Sequence, residues 1–202
     1  MKILALIPSY KMMDIPAVQS LCSLQADIYK NGDNLNVAFI NGFNAAKARS
    51  KLMEYASNQG DVDWVINIDT DHVYESKDLY TLIDKCKQLD LEMLSAAYLL
   101  KDSSGNYAHG SFNEDGSFKH VHAKDTGGII DCDVLGFGFL VMRKSFIDKM
   151  VKTYGKDDLF LFDVKDNSTE DVYFCRQAKK IGTRICFDSD TLVGHLMLVI
   201  QK

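Results

Sequence analysis

The chain has 202 residues, a formal net charge of -5, and a hydrophobic fraction of 47% against 25% charged. That balance belongs to a globular protein with a substantial core and argues against disorder. With no Lys/Arg tract to neutralise phosphates, it also argues against a nucleic-acid partner. The apolar opening stretch is too short for a signal peptide, and nothing later approaches the ~18 to 20 apolar residues of a membrane span. No integral membrane segment is therefore expected. Five scattered cysteines without a C-x-x-C pair read as buried, reduced thiols, so the expected location is the cytoplasm.

In chain order, Ile3 to Ile7 reads as a buried strand stopped by Pro8, followed by a helix with Pro16 in its first turn and Val18, Leu21, Cys22 and Gln25 at helical spacing. Val37 to Ile40 is a second strand. Asn44 is a candidate N-cap for a helix carrying Ala45, Ala48, Leu52, Tyr55 and Ala56, with Gly60 as its stop. Trp64 to Ile68 is a third strand. Ser76 caps a helix with Leu79, Leu82, Ile83, Cys86 and Leu89 on one face, and Met93 to Ala97 is a fourth strand. This βαβαβαβ order predicts a mostly parallel α/β sheet flanked by helices, with ligands at the carboxyl ends of its strands.

After Leu99 the chain becomes polar and Gly-rich, in an α+β style. A hairpin is expected around Asn113 to Gly116, a strand at Gly138 to Met142 and a helix at Ser145 to Tyr154. An irregular stretch follows, then a helix from Thr169 to Ile181 ended by Gly182, with short strands at Arg184 to Phe187 and Leu192 to His195. No repeat or linker interrupts the sequence. One domain is expected, in two parts of different character, residues 1–98 and 99–202.

Asp69-Thr70-Asp71-His72 places two carboxylates at i and i+2 where the third strand meets solvent. Mg²⁺ and Mn²⁺ take oxygen ligands and share their shell with substrate phosphates, which makes such a strand end a place to hold a cation. Aspartates also simply begin loops, so position must decide. Glu170-Asp171 offers a general base at a helix start, although first-turn acids are also favoured by the helix dipole. His195 lies in an apolar strand, either as a packed side chain or as an imidazole ligand for an Mn²⁺-type ion. Arg49 reads as a solvated helix residue or as a guanidinium that grips a diphosphate. Tyr10 and Ser9 either contact a base or turn the chain, and Gly136-Phe137-Gly138 is a tight turn or a close backbone approach to ligand.

Taken in order, Pro8-Ser9-Tyr10, Asn44 to Arg49, Asp69-Thr70-Asp71, Gly136 to Arg143, Glu170-Asp171 and His195 resemble the GT-A fold glycosyltransferases, especially those with a family 2-like layout. The resemblance covers nearly the whole chain, and its compact length is similar to that of viral or phage examples, which would place it in the host cytosol. It implies a GT-A (Rossmann-like) sheet that moves a sugar from a nucleotide diphosphate sugar, with UDP-sugar favoured, to a carbohydrate acceptor. It further implies Mn²⁺ or Mg²⁺ held directly by Asp71 and His195, with Asp69 on the ribose or on the metal through water. Pro8, Ser9, Tyr10, Arg49 and Thr70 would line the nucleotide site, while Gly136 and Gly138 would border the donor sugar. Asp171 would be the base, with Glu170 beside it. The helix-start acids favour inversion. A late metal-binding histidine is more typical of other GT-A families, some of them retaining. Lys101 to Asp125, with Tyr107, His109, His120 and His122, would form the acceptor side.

Asp69-Thr70-Asp71-His72-Val73 also fits the D-x-D-x-[TV] pattern of haloacid dehalogenase-like phosphatases. There the motif usually ends the first strand, whereas here two strands precede it and no later G-D-x-x-x-D pair is found. A nucleotidyltransferase normally needs an N-terminal Gly-rich loop with Arg and Lys, which Ile7 to Met12 does not supply. A non-catalytic sugar-nucleotide binding module completes the alternatives.

Overall fold

The computed structural model describes residues 1–10, 12–124, 127–155 and 168–197. The irregular stretch expected after Tyr154 lies largely outside the described residues. The alternation in the first half is borne out: β1 (Lys2–Ser9), α1 (Ile15–Lys30), β2 (Asn34–Asn41), α2 (Ala45–Ser57), β3 (Trp64–Ile68), β4 (His72–Val73), α3 (Ser76–Gln88) and β5 (Met93–Ala97). The second half supplies β6 (Asn106–Phe112), β7 (Phe118–His122), β8 (Ile129–Asp131), β9 (Phe139–Arg143), α4 (Lys144–Tyr154), α5 (Glu170–Lys180), β10 (Cys186–Leu192) and β11 (Gly194–His195).

Seven strands make the central sheet in the order β2-β1-β3-β9-β5-β10-β8. β1, β2, β3, β5 and β10 run parallel, while β9 lies antiparallel between β3 and β5 and β8 is an antiparallel edge. A strand from the second half thus sits in the middle of the sheet begun by the first. The hairpin expected near Asn113 is β6–β7, with Gly116 at φ 82° in its turn.

Period-2 alternation sends each strand's side chains into one of two cores. Val65, Leu140 and Met142 face α2, α4 and α5 with Leu52, Met53, Phe146, Met150 and Phe174. Trp64, Ile66, Ile68, Phe139 and Val141 face α1 and α3 with Leu24, Ile28, Leu79, Leu82 and Ile83. Phe174 fixes the start of α5 through edge-to-face contacts with Phe137 (ring centroids 4.9 Å) and Phe146 (6.1 Å).

Several boundaries differ from the sequence reading, each for a physical reason. β1 runs through Pro8 to Ser9 because its pairing with β2 continues to Ser9↔Asn41, while the last pair with β3 is Leu6↔Asn67. Asn44 does cap α2, its side-chain oxygen accepting the Lys47 N–H at 2.9 Å, but α2 ends at Ser57 rather than at Gly60. α3 is capped by Glu75 and not by Ser76, because Glu75 and Asp78 form a reciprocal capping box. For α5 the N-cap is Thr169, whose hydroxyl donates to Asp171 instead of capping the backbone. The two late strands are also redrawn as β10 and the short β11.

Candidate active site

Because β1 and β3 are parallel, Ser9 and Asp69 emerge at the same carboxyl edge of the sheet, and α2 brings Arg49 to it. A small cavity of about 210 Å³ is lined there by Pro8, Ser9, Tyr10, Phe43, Arg49, Asp69, Thr70 and Asp71, among others. Six of the residues expected at a nucleotide site therefore converge on one pocket. A larger cavity of about 650 Å³ adjoins it, since Arg49 and Asp69 line both. Its far wall is built from Phe112, Phe118 and His120 of the hairpin together with Asp171 and Arg176 of α5.

Arg49 is buried, contrary to the solvated-helix alternative. Its Nη2 lies 3.1 Å and 3.2 Å from the two Asp69 oxygens, and its Nε is 3.4 Å from Glu170 Oε1. Burial pulls the guanidinium pKa down, but the two carboxylates outweigh it and hold the charge firmly. Nη1 is buried and has no hydrogen-bond partner among the described residues. Asp69 is thus clamped by Arg49, and its N–H donates to the Gly138 carbonyl at 3.0 Å.

Asp71 is held differently. The short strand β4 pairs antiparallel with β11, setting His195 opposite His72, and Leu196 N–H donates to the Asp71 carbonyl. The Asp71, His72 and His195 ligand atoms all lie within 4.8 Å of one another. Asp71 Oδ1 is 3.0 Å from His72 Nδ1, Oδ2 is 3.6 Å from His195 Nε2, and Oδ2 also receives the Lys101 ammonium. Burial raises the Asp71 pKa, yet the surrounding His195, His72 and Lys101 win and hold its carboxyl well below the usual carboxylate range. His195 Nδ1–H donates to the Leu99 carbonyl at 2.8 Å, which fixes its tautomer and frees the Nε2 lone pair. One carboxylate with oriented imidazoles fits a divalent ion of the Mn²⁺ type.

The structure therefore brings Asp71 and His195 together as expected and sets Asp69 apart from them, in the ion pair with Arg49. It adds His72 and Lys101, neither of which the sequence reading gave a role in binding metal. Gly136 lines the larger cavity, but Gly138 backs the site instead of bordering a ligand. A Cβ there would collide with the His72 ring, and at Gly136 it would collide with the Tyr98 hydroxyl. Glu170 is engaged by Arg49, whereas Asp171 lines the cavity and accepts Val172 N–H at 2.8 Å.

Of the expected acceptor segment, His120 reaches the cavity. Tyr107 and His109 are core residues, and His122 Nδ1 accepts the Lys124 N–H. Phe112 and Phe118 of the same segment also line the cavity, although they were not singled out among the aromatics flanking the Asn113 to Gly116 turn, and Tyr98 and Arg176 were missed.

The structure superposes on A197 from STIV with a TM-score of 0.63 and 16% identity, over 100% of this chain and 97% of that one. It also superposes on GalNAc-T7, solved with UDP, GalNAc and Mn²⁺, with a TM-score of 0.66 and 12% identity. That match takes in 98% of this chain and 43% of the other, so the chain spans less than half of GalNAc-T7. The chain has a GT-A fold. No protein-family model matches the sequence. No curated protein matches it either. In this GT-A frame the two cavities lie at the carboxyl edge of the parallel strands, where ligands of open α/β sheets bind. Among the described residues, no helix is long and apolar enough to cross a membrane.

Proposed function

We propose that this chain is a metal-dependent glycosyltransferase that takes a hexosyl group from a nucleotide diphosphate sugar, with UDP-sugar the favoured donor, and passes it to a hydroxyl of a carbohydrate acceptor. The observation that carries the proposal is the meeting of Asp71 and His195 where the small pocket adjoins the larger cavity. GalNAc-T7, a neighbour in fold, was solved with UDP, GalNAc and Mn²⁺, and this supports the choice of donor and ion.

In this reading Asp71 and His195 hold Mn²⁺ in preference to Mg²⁺, with His72 beside them, because imidazole nitrogen suits the softer ion. The bound ion supplies charge neutralisation for the departing diphosphate. The pocket of Pro8, Ser9, Tyr10 and Thr70 takes the nucleoside, and Arg49, which lines both cavities, places its charge beside the anionic group. Asp171 faces the acceptor cavity and draws the proton from the incoming hydroxyl, an arrangement that favours inversion. Glu170 serves to hold Arg49. A phosphatase reading has less support, since its nucleophile would be Asp69, which is clamped by a buried arginine.

UDP release from a panel of UDP-sugars with Mn²⁺ tests the activity. Asp171→Asn is expected to bind donor normally and to lower turnover by ~10²-fold or more, the scale of a lost general base. Unchanged turnover would remove that role. Net retention in the product anomer, read by NMR, would leave Asp171 as an acceptor-positioning residue.

A further inference from the structure

We propose that Lys101 is a built-in counter-ion for the metal position, an ammonium that competes with the divalent cation for Asp71 and must leave before the metal binds fully. The inference rests on the reading of Asp71 as a metal ligand and adds a residue to that site.

The Asp71 carboxylate is surrounded by three groups. Oδ1 faces His72 Nδ1, while Oδ2 faces His195 Nε2 and the Lys101 ammonium. Lys101 therefore occupies the oxygen that points to His195, which is the oxygen a cation shared between Asp71 and His195 would take. Two positive charges cannot share that oxygen at contact distance, because their repulsion at a few ångströms in a partly desolvated site outweighs solvent screening. Occupancy by one excludes the other.

The placement of Lys101 follows from the same short segment that orients His195. The Leu99 carbonyl receives His195 Nδ1–H at 2.8 Å, and Leu100 N–H donates to the Asn106 carbonyl at 2.9 Å. These bonds fix the backbone just before Lys101 between β11 and β6 and deliver its side chain to the rim of the site. The tip beyond is exposed, with Asp102 accepting Ser104 N–H and Gly105 in the left-handed region at φ 72°. The Lys101 side chain is itself 42% exposed, compared with 27% for Asp71. It can swing into solvent without opening the core, which suits a removable cation. Once displaced, it stands at the edge of the site as a second positive charge for an anionic donor.

Mn²⁺ alone, titrated by calorimetry into the intact chain, tests the idea without reference to turnover. Lys101→Met is expected to bind Mn²⁺ about three- to tenfold tighter than the unmodified chain, the range expected when a partly exposed charged hydrogen bond no longer competes. Lys101→Arg keeps a competing cation and is expected to stay near the unmodified affinity. Lys119→Met removes an equal charge from the exposed face of β7 and is expected to change nothing. Equal tightening in Lys101→Met and Lys119→Met would reduce the effect to the general field of the protein and overturn the proposal. So would unchanged or weaker binding in Lys101→Met. If neither the unmodified chain nor Lys101→Met bound Mn²⁺, the metal reading of Asp71 would fall, and this proposal with it. Binding that is equal in both would leave the metal reading standing and remove Lys101 alone.

Discussion

Arg49 holds Asp69 and Glu170 from one buried guanidinium, joining the end of β3 to the start of α5. Replacing it leaves two half-desolvated carboxylates side by side. Arg49→Met is therefore expected to cost about 2–4 kcal/mol by denaturant unfolding, a little under the penalty for breaking a fully buried pair because both acids keep some solvent access. Stability within about 0.5 kcal/mol of the unmodified chain would show that the guanidinium is not holding them. Gly138 acts at the same scale. Its missing Cβ makes room for the His72 ring, which is 1% exposed and stacked on His195 with centroids 4.5 Å apart. Gly138→Ala is expected to lose about 1–3 kcal/mol through overpacking and to weaken Mn²⁺ binding by displacing His72. Unaltered Mn²⁺ affinity would separate His72 from the metal site.

Among elements, the segment between β8 and β9 is clamped from both sides. Asn67 Nδ2 donates to the Phe137 carbonyl at 2.7 Å, Gly138 N–H donates to the Tyr98 hydroxyl at 2.9 Å, and Gly136 N–H donates to His109 Nδ1 at 3.1 Å. His109 Nε2–H in turn donates to the Ala96 carbonyl, so both nitrogens are satisfied only in the neutral ring. Burial drives its pKa down from 6.5 to about 3. The unfolded chain therefore binds a proton that the folded chain refuses as pH falls below about 6.5, and stability falls with it, by up to about 1.4 kcal/mol per pH unit until about pH 3. His109→Gln, which keeps a donor and an acceptor but cannot titrate, is expected to show a shallower loss of melting temperature from pH 6.5 to 4. An identical slope would contradict the assignment.

Strands and helices with strong periodicity were legible in the sequence: β3 and β5 lie where Trp64 to Ile68 and Met93 to Ala97 placed them. The caps of α3 and α5 were not, because Ser, Thr, Glu and Asp compete within a few residues and local geometry decides between them. Nor was His72 assigned to the metal cluster. It was visible next to Asp71, but the β4–β11 pairing that turns it toward His195 joins residues more than 100 positions apart and leaves no local pattern. Lys101 was placed on the acceptor side for the same reason.

For the molecule as a whole, the two cavities meet only because β9 inserts between β3 and β5 and β10 returns beside β5, which carries His195 back to the carboxyl edge. The central claim is that this edge binds a nucleotide diphosphate through a divalent ion at Asp71. Calorimetric titration of UDP into the chain, with and without Mn²⁺, tests it most directly. The expected result is binding that strengthens at least about tenfold with Mn²⁺, equivalent to about 1.4 kcal/mol, with the gain lost in Asp71→Asn. Equal UDP affinity in the presence and absence of Mn²⁺ would contradict it.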